Sequence, residues 1–266
     1  MLTASNLDAI DGIRHGFFTR EGGVSKGDYD ALNCGYSGSD DERLVMANRS
    51  LAMDRLGMPA GALTTVKQVH GVSVQHVTEA VPGRSLVEAD ALVTNRENIV
   101  LGVLCADCAP VLMADEKAGV IGAAHAGWRG ALHGVTDKLI LAMIELGADA
   151  GRLVAAVGPC IAKVSYEVGP DMRAMFEAND PAGLELFEPT PGSDRYHFDL
   201  KAYVLSRLAR SGLERHLALE DDTFGDEQRF FSARRSRNRG DEGFGLLLSA
   251  IARPSAMDEA TLGMTT

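Results

Sequence analysis

The chain has 266 residues, 45% of them hydrophobic, and a net charge of −11. That composition supports a large core in one domain or two small ones, and the acidic balance argues against a general nucleic-acid binder or a protein of anionic membrane surfaces. No run approaches the ~20 apolar residues of a membrane-spanning helix, no signal-peptide pattern opens the chain, and four cysteines at this length do not form a disulfide framework, which together predict a cytoplasmic protein with reduced thiols.

Taken in order, residues 15–19 read as a first strand and residues 20–27 as a glycine-rich loop. Asp40 is placed to cap a helix from about 41 to 56, with Leu44, Val45, Leu51, Ala52 and Leu56 inward and Gly57 as its stop. Residues 63–69 form a β-prone run, and strands are expected over 72–77, 89–94, 99–105 and 111–114. The short apolar run at 120–124 reads as a buried strand. Helical spacing from Leu132 through Leu146, closed by Gly147, predicts one helix after it. A strand over 153–157, helices over 170–178 and 199–211, and late strands over 230–232 and 246–251 complete the pattern. No linker-like composition appears before Pro254. The expected organisation is one domain over 1–253, mixed α/β, with a flexible tail over 254–266.

Three chemically capable residues fall at expected strand ends beside glycine or proline: His70, Cys108 and His125. Two imidazoles and a thiolate form a zinc ligand set that leaves a fourth position open for water or substrate. Their sequence separation cannot confirm it. Singly, each histidine also reads as a hydrogen-bonded structural residue and the cysteine as a small buried hydrophobe. Cys105-Ala106-Asp107-Cys108 lacks the second pair of a structural zinc site, and Pro110 argues against the helix start of a redox dithiol. Asp107 can orient a ligand or carry a proton, or simply bond local N–H groups. The same ligand types suit copper. Seven histidines without an H-x-H pair argue against laccase chemistry proper. Arg20, Arg49 and Arg129 lie near glycines and suit phosphate. In the basic span Arg229, Arg234, Arg235, Arg237 and Arg239, the last two read best as a solvated turn.

Several pieces together identify a family. They include Phe18-Thr19-Arg20-Glu21-Gly22-Gly23-Val24-Ser25, Asn33, Asn48-Arg49, Gln68-Val69-His70-Gly71 and Ala89-Asp90-Ala91-Leu92-Val93-Thr94. With them stand Ala106-Asp107-Cys108-Ala109-Pro110, His125-Ala126-Gly127-Trp128-Arg129-Gly130, Gly158-Pro159, Tyr166-Glu167-Val168-Gly169 and Phe230-Phe231-Ser232-Ala233-Arg234-Arg235. From about Arg14 to Ile251 the chain resembles the laccase-domain family, whose members are called polyphenol oxidase, peptidoglycan editing factor or purine nucleoside phosphorylase. The resemblance implies a layered α-β-β-α sandwich related to a cysteine-hydrolase-like toxin domain, with zinc held by His70, Cys108 and His125. It implies phosphorolysis of adenosine, inosine and methylthioadenosine, with adenosine deamination beside it. His70, Asp107, Cys108 and His125 would form the catalytic set. Arg20, Asn33, Arg49, Gln68, Trp128, Arg129 and Arg235 would bind nucleoside and phosphate. The implied protein is a monomer or weak homodimer with small-molecule partners, binding neither nucleic acid nor membrane. A cysteine hydrolase or amidase using Cys108 in peptidoglycan maintenance, and a copper-dependent polyphenol oxidase (Cu2+ in place of zinc), stand as alternatives. The chain departs from the family pattern at Asp222, where many members have cysteine, at Ala233, where tyrosine is usual, and at Gly243-Phe244-Gly245, where Gly-Arg is usual.

Overall fold

A computed structural model describes residues 1–255. Strand pairing builds two main sheets. The larger has the order Arg215–Ala218, Val154–Val157, Ala109–Asp115, Val120–Ala126, Ala91–Thr94 and Val74–His76. The second has the order Arg14–Phe17, Leu247–Ala252, Val100–Cys105 and Leu63–Thr64.

The central strands are apolar on both faces because both faces are covered. Side chains alternate along a strand. Val111 and Met113 therefore face a helical layer, while Leu112 and Ala114 face the second sheet. In the neighbouring strand Val120 and Ala124 take the helical side, and Ile121 and Ala123 the inter-sheet side. The helices Val135–Glu145 and Leu200–Arg210 cover the larger sheet. The helix Glu42–Leu56 covers the smaller one through Ala52, Met53 and Leu56. The layers run helix, sheet, sheet, helices. Beside them a three-stranded sheet (Phe187–Pro189, Tyr196–Phe198, Glu167–Val168) packs its aromatic residues against the helix Pro170–Asn179. Phe176 is fully buried there, with ring centroids of Phe187, Phe198 and Tyr203 at 5.0, 4.9 and 4.8 Å. Removing a ring from such a cluster leaves a cavity that neighbours only partly fill. Phe176→Ala should lower stability by about 3–5 kcal/mol in urea unfolding, and a loss below about 1 kcal/mol would show that the cluster does not anchor this side.

Several expected elements differ. The single helix expected after His125 is two, Trp128–His133 and Val135–Glu145, broken where Gly134 adopts φ of 90°. Residues 230–232 are not a strand. Phe230 and Phe231 are apolar because they are buried, and Ser232 caps the helix Ala233–Arg239 by accepting from the Arg235 N–H. The cap of the helix Glu42–Leu56 is Asp41, since Asp40 instead accepts from Ser25 Oγ and Asn33 Nδ2. Within the β-prone run at 63–69 only Leu63–Thr64 forms a strand, and Lys67 makes a single bridge to Glu88. Of the expected tail, Pro254 and Ser255 are described, and the Ser255 N–H donates to Asn98; the remainder, 256–266, lies outside the described residues. Among the described residues no helix is long and apolar enough to cross a membrane.

Candidate metal centre and active-site cavity

The register of the larger sheet gathers the site. Pro110 pairs with His125, and Ala91 pairs with Ala124. By alternation His125 shares the inter-sheet face with Ile121 and Ala123, and Cys108 shares it with Leu112 and Ala114. Asp90, one residue before its strand, shares that face with Leu92 and stands opposite His125, whose N–H donates to the Asp90 carbonyl at 2.7 Å. His70 arrives from a loop, in the left-handed region at φ of 59°. The ligand atoms of His70, Cys108 and His125 all lie within 4.8 Å of one another. Cys108 Sγ is 3.8 Å from His70 Nε2. Gly127 makes the approach possible: a Cβ there would sit 2.7 Å from His70 Cδ2 and 3.1 Å from Cys108 Sγ.

Asp90 is fully buried and binds both histidine segments. Its Oδ1 lies 2.9 Å from His125 Nδ1 and accepts the His70 N–H at 2.9 Å. Its Oδ2 accepts the N–H groups of Val69 and Gly71 at 3.2 and 2.7 Å. Burial works against ionisation of Asp90, but the His125 ring and these N–H groups outweigh it and hold the carboxyl below its usual range. Burial likewise opposes charge on Cys108 and His125. The imidazole beside the thiol wins and lowers Cys108 to about 6, while the thiolate and Asp90 raise His125 to about 9. Both shifts act in the direction of a thiolate–imidazolium pair when no metal is bound. Two nitrogens and a thiolate with a carboxylate behind one imidazole form a donor set able to hold a divalent transition metal.

The cluster opens into a cavity of about 950 Å3. Its lining carries Arg49, Lys67, Arg84, Arg129, Arg234 and Arg237 against one carboxylate, Asp107. A chain of net charge −11 thus gathers cationic side chains around this cavity. Most of these cations have protein partners. Arg49 donates to the carbonyls of Cys34 and Gly83 and lies over the Tyr36 ring. Lys67 pairs with Glu88 and Arg84 with Glu42. Arg234 donates to the Glu167 carbonyl. Among the described residues Arg129 and Arg237 have no hydrogen-bond or ion-pair partner, and Arg129 lies over the Trp128 ring at 4.3 Å.

The expected binding residues divide. Arg49, Gln68, Trp128 and Arg129 line the cavity. The Gln68 amide is spent on both backbone groups of Leu104. Arg20, Asn33 and Arg235 do not line it, because each is occupied holding backbone. Arg20 donates to the Asp30 carbonyl and lies over Phe231. Asn33 bridges Gly35, Asp40 and Leu246. Arg235 is buried and donates to the carbonyls of Thr223, Phe224 and Phe230. Asp107 lines the cavity at φ of 84°, but its oxygens accept from Thr223 Oγ1 at 2.8 Å and the Arg234 N–H at 2.7 Å. Burial raises its carboxyl in spite of them. Arg237, read from sequence as a solvated turn residue, faces the cavity one helical turn beyond Arg234, whereas Arg239 pairs with Glu227. Asp222 accepts from Ala162 N–H, Phe224 N–H and Ser165 Oγ. Ala233 and Phe244, at the other two departures, line the cavity.

Residues 14–253 match the family described as multi-copper polyphenol oxidoreductase laccase. A Streptomyces coelicolor protein named purine nucleoside phosphorylase is 39% identical over 234 residues, covering 88% of this chain and 94% of the relative. A Deinococcus radiodurans protein of the same name is 45% identical over 184 residues, 69% of this chain and 68% of its own. The crystal structure of YlmD from Geobacillus stearothermophilus superimposes with a TM-score of 0.83 at 29% identity, covering 95% of this chain and 94% of that one. That of the Neisseria meningitidis protein NMB0706, assigned to DUF152, gives 0.82 at 32% identity, covering 92% and 96%. With the match spanning nearly the whole described chain, the protein belongs to the family described as multi-copper polyphenol oxidoreductase laccase.

Proposed function

We propose that the protein is a zinc-dependent purine nucleoside phosphorylase acting on adenosine, inosine and methylthioadenosine, with adenosine deamination as a side activity. The observation that carries the reading is a three-donor cluster opening into a cation-lined cavity, in a chain similar over most of its length to proteins named for that activity. In phosphorolysis a phosphate oxygen attacks the anomeric carbon. The bond to the base breaks, the base leaves with the electron pair and takes up a proton, and ribose 1-phosphate forms. Arg129 and Arg237 have free guanidinium donors for a phosphate dianion, and Arg49 supports the cavity wall. Trp128 and Tyr166 offer ring faces to a purine. His70, Cys108 and His125 hold the metal, which supplies Lewis-acid and water-activating chemistry when bound. Zinc is favoured over copper by the surroundings. Among the described residues no methionine lines the cavity, and the Gln68 amide is already spent on Leu104, so the thioether or free amide donor that often joins two histidines and a cysteine around copper would be lacking here.

Elemental analysis followed by adenosine turnover with and without phosphate tests the reading. About one zinc per chain and ribose 1-phosphate made only when phosphate is present are expected. A zinc-loaded protein that releases no base from adenosine or inosine would refute it. Charged hydrogen bonds of this kind contribute about 1.5–3 kcal/mol. Arg129→Ala should therefore raise the KM for phosphate by about 10–100-fold while the KM for nucleoside changes less. Equal shifts in both constants would place Arg129 elsewhere.

A second reading rests on the same residues. Cys108, His125 and Asp90 stand in the order thiol, imidazole, carboxylate, the arrangement of a cysteine hydrolase. It requires a metal-free working enzyme.

A further inference from the structure

We propose that Asp90 is the positioning residue that makes ligands of both histidines, fixing the ring tautomer of His125 with one oxygen while clamping the strained turn that presents His70. The proposal rests on the metal reading of the site, not on the identity of the substrate.

Three backbone N–H groups, from Val69, His70 and Gly71, point at the two oxygens of Asp90 and can only donate. The fourth group is Nδ1 of His125, 2.9 Å from Oδ1. A carboxylate has nothing to donate, so this contact is a hydrogen bond only when Nδ1 carries the proton. A neutral imidazole protonated at Nδ1 has its lone pair on Nε2, the nitrogen left for the cluster. The same carboxylate holds residues 69–71, where His70 is at φ of 59°. For a residue with a Cβ that conformation is costly and persists only when its surroundings impose it. Three N–H bonds to one buried carboxylate impose it. A single side chain thus couples the ligand on the loop to the ligand on the strand, and the register that places Asp90 opposite His125 makes the coupling rigid.

Asp90→Asn is the discriminating change because it keeps the volume and removes one acceptor. If the new amide NH2 takes the Oδ2 place, it confronts the N–H groups of Val69 and Gly71 and the turn opens. If it takes the Oδ1 place, it confronts the His70 N–H and can satisfy His125 only by donating to Nδ1, which moves the ring proton to Nε2 and blocks ligation. Either way zinc affinity, measured by competition with a chromophoric chelator, should fall by about 10–100-fold, and the visible spectrum of the cobalt-substituted protein should change in shape. A variant that binds zinc within about threefold of the parent, with a superimposable cobalt spectrum, overturns the proposal. Should the variant fail to fold, 15N NMR of histidine-labelled parent protein loaded with zinc decides the matter. His125 must show a protonated Nδ1 and a metal-bound Nε2; the reverse assignment overturns the proposal. Neither readout uses turnover. A protein that binds zinc in this way but processes no nucleoside sinks the phosphorylase reading alone, while a parent protein that takes up no zinc sinks the metal reading and this proposal together.

Discussion

If the zinc-phosphorylase proposal holds, Cys108→Ala should abolish metal binding and phosphorolysis while leaving the protein folded. Cys108 supplies the anionic donor of the cluster. Without it two imidazoles remain, one on a strand end and one on a loop, and no thiolate balances the charge of the ion. The loss of affinity should exceed the roughly 10–100-fold that removing a supporting group costs. Folding should survive because Cys108 lies outside the hydrophobic clusters, just before the strand Ala109–Asp115, and is only partly buried. Elemental analysis of the variant, with urea unfolding of both proteins after chelation, checks the two halves separately. A variant that retains a full equivalent of zinc shows that Cys108 is not a ligand. A variant that loses zinc and unfolds in the same experiment shows that the thiol also supports the fold.

The sequence made the two-sided strands visible because their burial is continuous. Residues 100–105, 109–115 and 120–126 are buried throughout, and an apolar run of that length between turns has few other readings. His125 stands out because it lies at the end of one such run, and Cys108 because it directly precedes another. Asp90 does not. It is readable only as part of a strand, since its meaning depends on which strand it pairs with, and pairing is a property of the sheet rather than of the segment. Arg237 was missed for a related reason. In the sequence its helix, Ala233–Arg239, reads as a turn after a strand, which hides the spacing of Ala233, Arg234 and Arg237 on one face. The three-stranded sheet was missed because its strands are two or three residues long, too short for alternation to show. Arginine roles were the least legible. Arg20 and Arg235 sit in the same kind of glycine-rich or basic context as Arg129, yet their donors are consumed by carbonyl groups of segments within about a dozen residues of them.

Alkylation of Cys108 should be slow in the zinc-loaded protein and fast after chelation. A thiolate bound to zinc has its charge shared with the metal and is a weaker nucleophile than a free one. Freed of metal, Cys108 is a residue of intermediate burial beside His125, whose charge overcomes burial and lowers the thiol to about 6. The other thiols should not confuse the assay. Cys34, Cys105 and Cys160 are buried, and burial pushes Cys34 and Cys160 up to about 12 and Cys105 well above its usual range. A Cys105→Ser background removes the nearest of them in sequence as a control. Iodoacetamide labelling followed by peptide mass spectrometry, with activity measured in parallel, reads the result. Protection by zinc, lost on chelation, supports Cys108 as a ligand and agrees with the metal-dependent phosphorylase. Rapid labelling of Cys108 in zinc-loaded protein, with activity falling in step and with chelation leaving activity intact, identifies a working nucleophile. His125 would then be its base and Asp90 the group that orients the base, and the phosphorylase reading would give way to the cysteine hydrolase.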